Sequence, residues 1–480
     1  MYEGSVDRKQ FVLGNHSAIN RIPFQDRFVI KRLDSQVSIA YCPDLTVVTE
    51  QNECEEPVLL IGTVVEASKE KPSPRDAIYK LNEHSINELT ATWTGHWIIV
   101  YRGMLYRDCC GLFPIYMPRA PSIHKAGELI VSNSPKPLVD FYGLEKSSSE
   151  ARKFVPFPMP PACHTSALRL LMVGEILDLR NGTRCIPDRP VFQTYDVMAE
   201  EVRERVASYL ITAVGNLGKV TPQGISCALS GGYDSRLNFA SAVTAGIDFE
   251  SFTFVKPYLY ITEADRLLPP KIASVVGRPH HMIKGDKKND VRAEAYLEHA
   301  GAPVTTFPGS GYDHYVNGYW NQVGLGRTIL DGQCYELAVN YHKNKFPLNF
   351  ELNHLRDFGF GLGEDDYNDL ESHWKLQMQG ASGLERRDMI FWSGNINGVY
   401  AKMTQEHDLF VDLFYPACNR MQFELLLSIP FGPRQDCLFQ STITKFINPD
   451  FDRLPYNTKE PFGKRVVKRI RNELFKFANI

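Results

Sequence analysis

Gly224-Ile-Ser-Cys-Ala-Leu-Ser-Gly-Gly-Tyr-Asp-Ser-Arg-Leu-Asn-Phe-Ala-Ser-Ala-Val243 is the most informative stretch of this chain. Ile225 to Leu229 is a short apolar run, as a buried strand requires. Ser230-Gly231-Gly232 is a tight loop, and from Arg236 the spacing is helical up to Gly246, a favourable C-cap. Strand, glycine loop and helix together make an anion site. The first amides of a helix lack internal partners and point outward, and the helix dipole adds partial positive charge there. Glycine lets a phosphate approach the backbone, while Ser230 and Ser235 can donate hydroxyl hydrogen bonds. Asp234 repels phosphate unless it holds Mg²⁺ that bridges phosphate oxygens. The loop has no Lys and the chain has no G-x-x-x-x-G-K-[ST], which excludes a Walker A loop.

Outward from this segment, Val202, Val206, Leu210, Ile211 and Val214 predict a helix over 199–217, and strand and helix patterns alternate beyond it. That alternation predicts a parallel α/β sheet. After Asn353 the pattern is mainly helical. Pro187-Asp-Arg-Pro190 reads as a linker. Before it, Trp97 to Tyr101, Met104 to Arg107, Gly127 to Ser132 and Gly174 to Leu179 read as strands, with turns at Arg102-Gly103 and Asn181-Gly182. Short strands between turns predict stacked antiparallel sheets.

The 480 residues imply two or three domains. With 43% hydrophobic and 23% charged residues, the composition excludes a disordered or fibrous chain. A net charge of -3 gives no electrostatic case for nucleic acid as a partner. No apolar run is long enough to span a membrane, and residues 1–10 carry no apolar signal core. The ten cysteines form no C-x-x-C pair, so they are expected as reduced, mostly buried thiols of a cytoplasmic protein.

Ser230-Gly-Gly-Tyr-Asp-Ser235 resembles the S-G-G-x-D-S pyrophosphate loop of N-type ATP pyrophosphatases. Thr94-Gly95 and Arg107-Asp-Cys-Cys-Gly-Leu-Phe-Pro-Ile-Tyr116 resemble the N-terminal domain of the asparagine synthetase family, as do Glu128-Leu-Ile-Val-Ser132 and Leu171-Met-Val-Gly-Glu-Ile-Leu177. Further along, Ser251-Phe-Thr-Phe254, Glu263-Ala-Asp265, Gly277-Arg-Pro-His-His281, Leu330-Asp-Gly332 with Glu336, the segment Asp412 to Pro430, and Tyr456-Asn-Thr-Lys-Glu460 are similar to that family's synthetase domain. These matches run collinearly from about residue 85 to 465.

The resemblance implies an antiparallel Ntn-hydrolase-like, glutamine amidotransferase-like sandwich over 1–190 and an α/β parallel-sheet ATP pyrophosphatase domain over 195–480. It implies an ATP- and Mg²⁺-dependent carbon–nitrogen ligase that adenylates a carboxylate, passes it to an amine or ammonia, and releases AMP and pyrophosphate. Ser230, Gly231, Gly232 and Ser235 are expected at the pyrophosphate. Asp234 and Glu336 are expected at Mg²⁺, with Asp331 as the less favoured ligand. Leu229, Phe254, Asp331 and Gly332 are expected around ATP, and Lys459 and Glu336 in catalysis, with Lys459 stabilising charge at the α-phosphorus.

Two positions depart from the family. Glutamine-using members carry cysteine directly after the initiator methionine, where this chain has Tyr2, so glutaminase activity is not expected. β-Lactam synthetases and lasso-peptide cyclases share that departure. Asp331-Gly-Gln-Cys-Tyr-Glu336 is also one residue shorter than the usual loop. The acceptor and donor stay open among a small-molecule or peptide carboxylate with a substrate amine, aspartate with free ammonia, an intramolecular cyclase or ligase for a natural product or surface glycan, and a non-catalytic nucleotide-binding scaffold. A homodimer is a further expectation.

Of the weaker signals, His280-His281 reads as structural and Gly359 to Gly363 as a loop. Tyr312 to Tyr315 read as acceptor-pocket or packing aromatics, and Lys464 to Lys476 as a solvated basic helix.

Overall fold

The computed structural model describes residues 8–23, 25–70, 74–82, 85–119, 128–144, 160–163, 166–186, 199–255, 263–284, 327–339, 362–408, 411–435 and 437–457. Lys459, Gly359 to Gly361, Tyr312 to Tyr315, Lys464 to Lys476 and Pro187 to Pro190 lie outside them.

The strands up to residue 185 are β1 (Phe11–Asn15), β2 (Val29–Arg32), β3 (Val37–Tyr41), β4 (Val47–Gln51), β5 (Pro57–Glu66), β6 (Trp93–Tyr101), β7 (Met104–Arg107), β8 (Tyr116–Pro118), β9 (Ile130–Ser132), β10 (Leu168–Leu170), β11 (Ile176–Asp178) and β12 (Arg184–Cys185). They form two six-stranded sheets, ordered β10-β8-β9-β1-β3-β2 and β12-β11-β7-β6-β5-β4. Neighbours in both are antiparallel. Phe11, Leu13 and Ile39 of one sheet meet Leu59, Ile61, Ile98 and Val100 of the other in a single core, which makes the stack a sandwich. The outer face of β6 is covered too, by Ile78, Leu81 and Ile86 beside Trp93, Trp97, Ile99 and Tyr101. Burial on both faces is why 97–101 reads as an unbroken apolar run rather than an alternation. The turn after β6 has φ of 50° at Arg102 and 74° at Gly103, the left-handed pair that a two-residue hairpin needs.

The second half is built on β13 (Ile225–Ala228), β14 (Phe249–Val255), β15 (His280–Lys284), β16 (Thr328–Leu330) and β17 (Asp412–Phe414). Their order is β15-β14-β13-β16-β17, with parallel neighbours throughout. The chain steps outward from β13 to β15 and then returns to β16 on the other side. The crevice beyond the C-terminal ends of β13 and β16 is therefore a topological switch point, the place where open α/β sheets bind ligands. The helix Glu200–Val220 precedes β13 and buries Val202, Val206, Leu210 and Val214. Ile211, expected on the same face, is only partly buried. From residue 364 the described chain is mainly helical, and a ten-residue π-helical stretch, Phe391–Tyr400, interrupts one long helical run.

Polar contacts join the two halves. Lys9 Nζ lies 2.7 Å from Asp412, beside Arg8 at 2.7 Å from the same carboxylate. Asn419 Nδ2 donates to Thr94 Oγ1 at 3.0 Å, and Asn397 accepts from the Val173 amide at 3.1 Å while donating to the Gly111 carbonyl. The His280 ring bonds Ser251 and Thr253, and His281 pairs with Glu250, a structural role. Among the described residues, no helix is long and apolar enough to cross a membrane.

Candidate active site

The glycine loop sits at the switch point, between the end of β13 and the helix Asp234–Thr244. Its shape comes from its own hydroxyls. Ser235 Oγ accepts from the Ser230 amide at 2.9 Å, Ser230 Oγ accepts from the Gly232 amide at 3.1 Å, and the two hydroxyls are 2.8 Å apart. The Gly231 amide donates to Asp265 Oδ1 at 3.1 Å. An anion seated on the Gly231 amide would displace Asp265. Close approach explains both outer glycines. A Cβ at Gly231 would stand 3.2 Å from the Ala264 carbonyl, and one at Gly332 would stand 3.0 Å from the Ser235 amide.

A cavity of about 560 Å³ opens above the loop, lined by Leu229, Ser230, Gly232, Ser235, Phe254 and Gly332 together with three carboxylates, Asp234, Asp265 and Asp331. The volume suits a nucleotide-sized ligand. All the sequence-predicted nucleotide residues except Gly231 line this wall. The Leu229 carbonyl already accepts from Thr253 Oγ1 at 2.6 Å.

Among the described residues, no Lys or Arg lines the cavity, so its wall is acidic. Burial pushes the Asp234 carboxyl up to about 7, against a hydrogen bond from Gln440, and the charge of Asp331 pushes it the same way. Burial, followed by Asp234, pushes Glu336 up to about 8 despite the hydrogen bond from Tyr400. Glu336 does not share the cavity wall with Asp234, as the motif led us to expect; Asp331 does. Glu336 stands behind, with Oε1 accepting from Tyr400 at 2.8 Å and Oε2 buried without a hydrogen-bond partner. Asp331 immediately follows β16, whereas Glu336 lies in a short 3₁₀ segment, Tyr335–Ala338. Asp234 and Asp331, oxygen donors on one wall of the cavity, are of the type that holds a hard divalent cation.

Several supporting residues had no assigned role in the sequence reading. Asn238 donates to the Asp331 carbonyl at 2.7 Å and accepts from the Tyr335 hydroxyl, fixing the acidic loop to the helix after Asp234. Arg236 is fully buried and donates to the carbonyls of Phe451, Leu454 and Pro455 at 3.1, 2.8 and 2.8 Å. Its guanidinium lies 3.9 Å from the ring centre of Tyr456, and that ring stacks on Tyr233. Asn457 then bonds the Gly231 carbonyl through its amide and Asp265 through its side chain. The segment leading to Lys459 is thus anchored on the loop as far as Asn457. Arg236 directly follows the S-G-G-Y-D-S string, but a lone arginine there carries no signal of what it binds; Asp265 belonged to a quoted motif.

No protein-family model and no curated protein matches the chain. Among solved structures, it is similar to glutamine-dependent NAD+ synthetase from Acinetobacter baumannii in complex with ADP, at 15% identity over 28% of this chain and 23% of that one, with a TM-score of 0.17. It is similar to NMN synthetase from Francisella tularensis at 13% identity over 54% of this chain and 99% of that one, with a TM-score of 0.20. The NH3-dependent NAD synthetase from Campylobacter jejuni subsp. jejuni NCTC 11168 matches at 12% identity over 54% and 99%, with a TM-score of 0.19. The chain spans less than a quarter of the Acinetobacter protein.

Proposed function

We propose that this protein is an ATP-dependent amide-bond-forming ligase. In this reading it adenylates a carboxylate at the switch-point cavity, hands the acyl group to an amine or ammonia, and releases AMP and pyrophosphate. The observation that carries it is the pairing of the serine–glycine loop with Asp234 and Asp331 on one wall of a nucleotide-sized cavity. Pyrophosphate oxygens would be held by Ser230, Gly231, Gly232 and Ser235, with the start of the helix Asp234–Thr244 behind them. Asp234 and Asp331 would face Mg²⁺, and Glu336 would back them as the reserve acid. Bound Mg²⁺ would neutralise phosphate charge and orient the leaving group. Leu229, Phe254 and Gly332 would border the adenosine. Lys459, which follows the anchored Tyr456-Asn457 pair, would stabilise charge building at the α-phosphorus.

ATP–pyrophosphate exchange, screened across carboxylic acids with Asp234→Asn and Lys459→Ala as controls, tests this reading. Exchange stimulated by one acid class and lost in both variants supports it. A protein that binds no Mg-ATP and exchanges with none of the acids refutes it. Binding of Mg-ATP without exchange would instead select the nucleotide-binding scaffold.

A further inference from the structure

Away from the nucleotide cavity, thiols from separate parts of the chain converge where the two halves meet. The Sγ atoms of Cys109, Cys110 and Cys418 all lie within 4.8 Å of one another, and those of Cys109 and Cys110 are 3.7 Å apart. All ten cysteines are free of disulfides. Cys110 and Cys418 have no exposed surface. A fourth thiol, Cys334 of the acidic loop, is buried beside Cys110 but lies outside that group of three.

The backbone holds this group in place. Asp108 Oδ1 accepts from the Cys110 and Leu112 amides at 3.0 and 3.1 Å, and the Gly111 amide closes the turn on the Asp108 carbonyl at 3.0 Å. The turn therefore presents both neighbouring thiols to one side. Trp392 Nε1 fastens the Cys109 carbonyl at 2.8 Å. The Cys418 segment is tied to the antiparallel half through Asn419 and through the Met421 amide, which donates to the Ala91 carbonyl at 3.1 Å. Cys334 has φ of 78°, a left-handed conformation that a non-glycine residue adopts only when its surroundings hold it there.

Four-coordinate zinc binds thiolates at about 2.3 Å, which puts neighbouring sulfurs of a tetrahedron roughly 3.8 Å apart. The Cys109–Cys110 separation of 3.7 Å already matches that edge. The remaining separations, at most 4.8 Å among the three thiols, close to it with movements of about an ångström. An all-sulfur donor set selects a soft or borderline cation over Mg²⁺ or Ca²⁺. Arg107 and Arg420 line the same small cavity as Cys109, alongside the carboxylates Asp108 and Glu175, and Cys418 Sγ lies 3.9 Å from Asp108 Oδ1.

We propose that Cys109, Cys110 and Cys418 bind one zinc ion between the two halves of the chain, with Cys334 as the fourth ligand. The ion would tie the antiparallel sandwich to the loop that carries Asp331 and Gly332. This site does not depend on the ligase reading.

The test uses the full chain, stripped with EDTA under reducing conditions and titrated with Co²⁺ and then Zn²⁺. The expected result is one equivalent of Co²⁺ with the absorption bands of a tetrahedral thiolate site, bleached by Zn²⁺. Cys109→Ser and Cys418→Ser should each weaken binding at least about tenfold. Cys227→Ser, at a buried thiol elsewhere, should not. Wild-type protein that binds no Co²⁺ overturns the proposal, as does full stoichiometry in both serine variants. Should those variants fail to fold, iodoacetamide labelling of wild-type Cys109 decides the matter. Protection by Zn²⁺ of at least about tenfold supports the site, and equal labelling with and without Zn²⁺ overturns it.

Discussion

Replacing Arg236 with Met is the most demanding test of how the loop is held. The substitution keeps a long apolar stem and removes the guanidinium. In the wild type that group is fully buried, makes three carbonyl hydrogen bonds of 2.8 to 3.1 Å and lies over Tyr456 at 3.9 Å. Hydrogen bonds from a charged donor contribute about 1.5–3 kcal/mol each. A desolvated cation–π contact adds about 2 kcal/mol. Relief of the buried charge offsets a large part of that sum. Loss of roughly 3–5 kcal/mol is expected, because the buried carbonyls that Arg236 served are left without donors. Against a total stability of about 5–15 kcal/mol, this is readily measured by guanidinium denaturation. Freed from Arg236, the 451–457 segment should also become the first site of limited proteolysis, and Mg-ATP affinity should fall with it. Arg236→Lys, which retains charge but not the fork, should fall between the two proteins. An Arg236→Met protein within about 1 kcal/mol of wild type, with unchanged cleavage, would show that the segment is held by something else.

Three further outcomes follow from the cavity and the acids in and behind its wall. Asp234 and Glu336 keep protons in the folded chain up to about 7 and about 8, which the unfolded chain releases near its ordinary 3.8 and 4.5. The folded state binds more protons across that window, so metal-free stability should fall as pH rises from about 4 to about 8. Denaturant midpoints at several pH values should show this slope, flattened by saturating Mg²⁺ and by Asp234→Asn, and Mg²⁺ should bind more tightly at the alkaline end. Asp331→Asn should weaken Mg²⁺-dependent nucleotide binding by at least about tenfold in calorimetry, whereas Glu336→Gln should leave it nearly unchanged, because of the two only Asp331 lines the cavity. Gly332→Ala places a methyl 3.0 Å from the Ser235 amide and should cost about 1–3 kcal/mol of stability while displacing the loop, read as weaker Mg-ATP binding.

Local signals made much of the fold legible. The strand, loop and helix around Ser230 were readable because glycine conformations, helix-end amides and apolar runs act over a few residues. The hairpin at Arg102-Gly103 and the helix after Ala199 were readable for the same reason. Glu336 shows where such reasoning stops: its place in a motif suggested a metal ligand, yet its carboxyl meets Tyr400, more than sixty positions away.

The sequence by itself determined that a glycine loop joins a buried strand to a helix, because that local shape is made of backbone conformations dictated by nearby residue types. Only the tertiary structure decided which acids share a cavity wall with that loop, that Arg236 clamps a segment more than two hundred positions away, and that Cys109, Cys110 and Cys418 meet. Those juxtapositions come from sheet order and interface packing, and side chains so far apart in sequence leave no spacing from which their contact could be read.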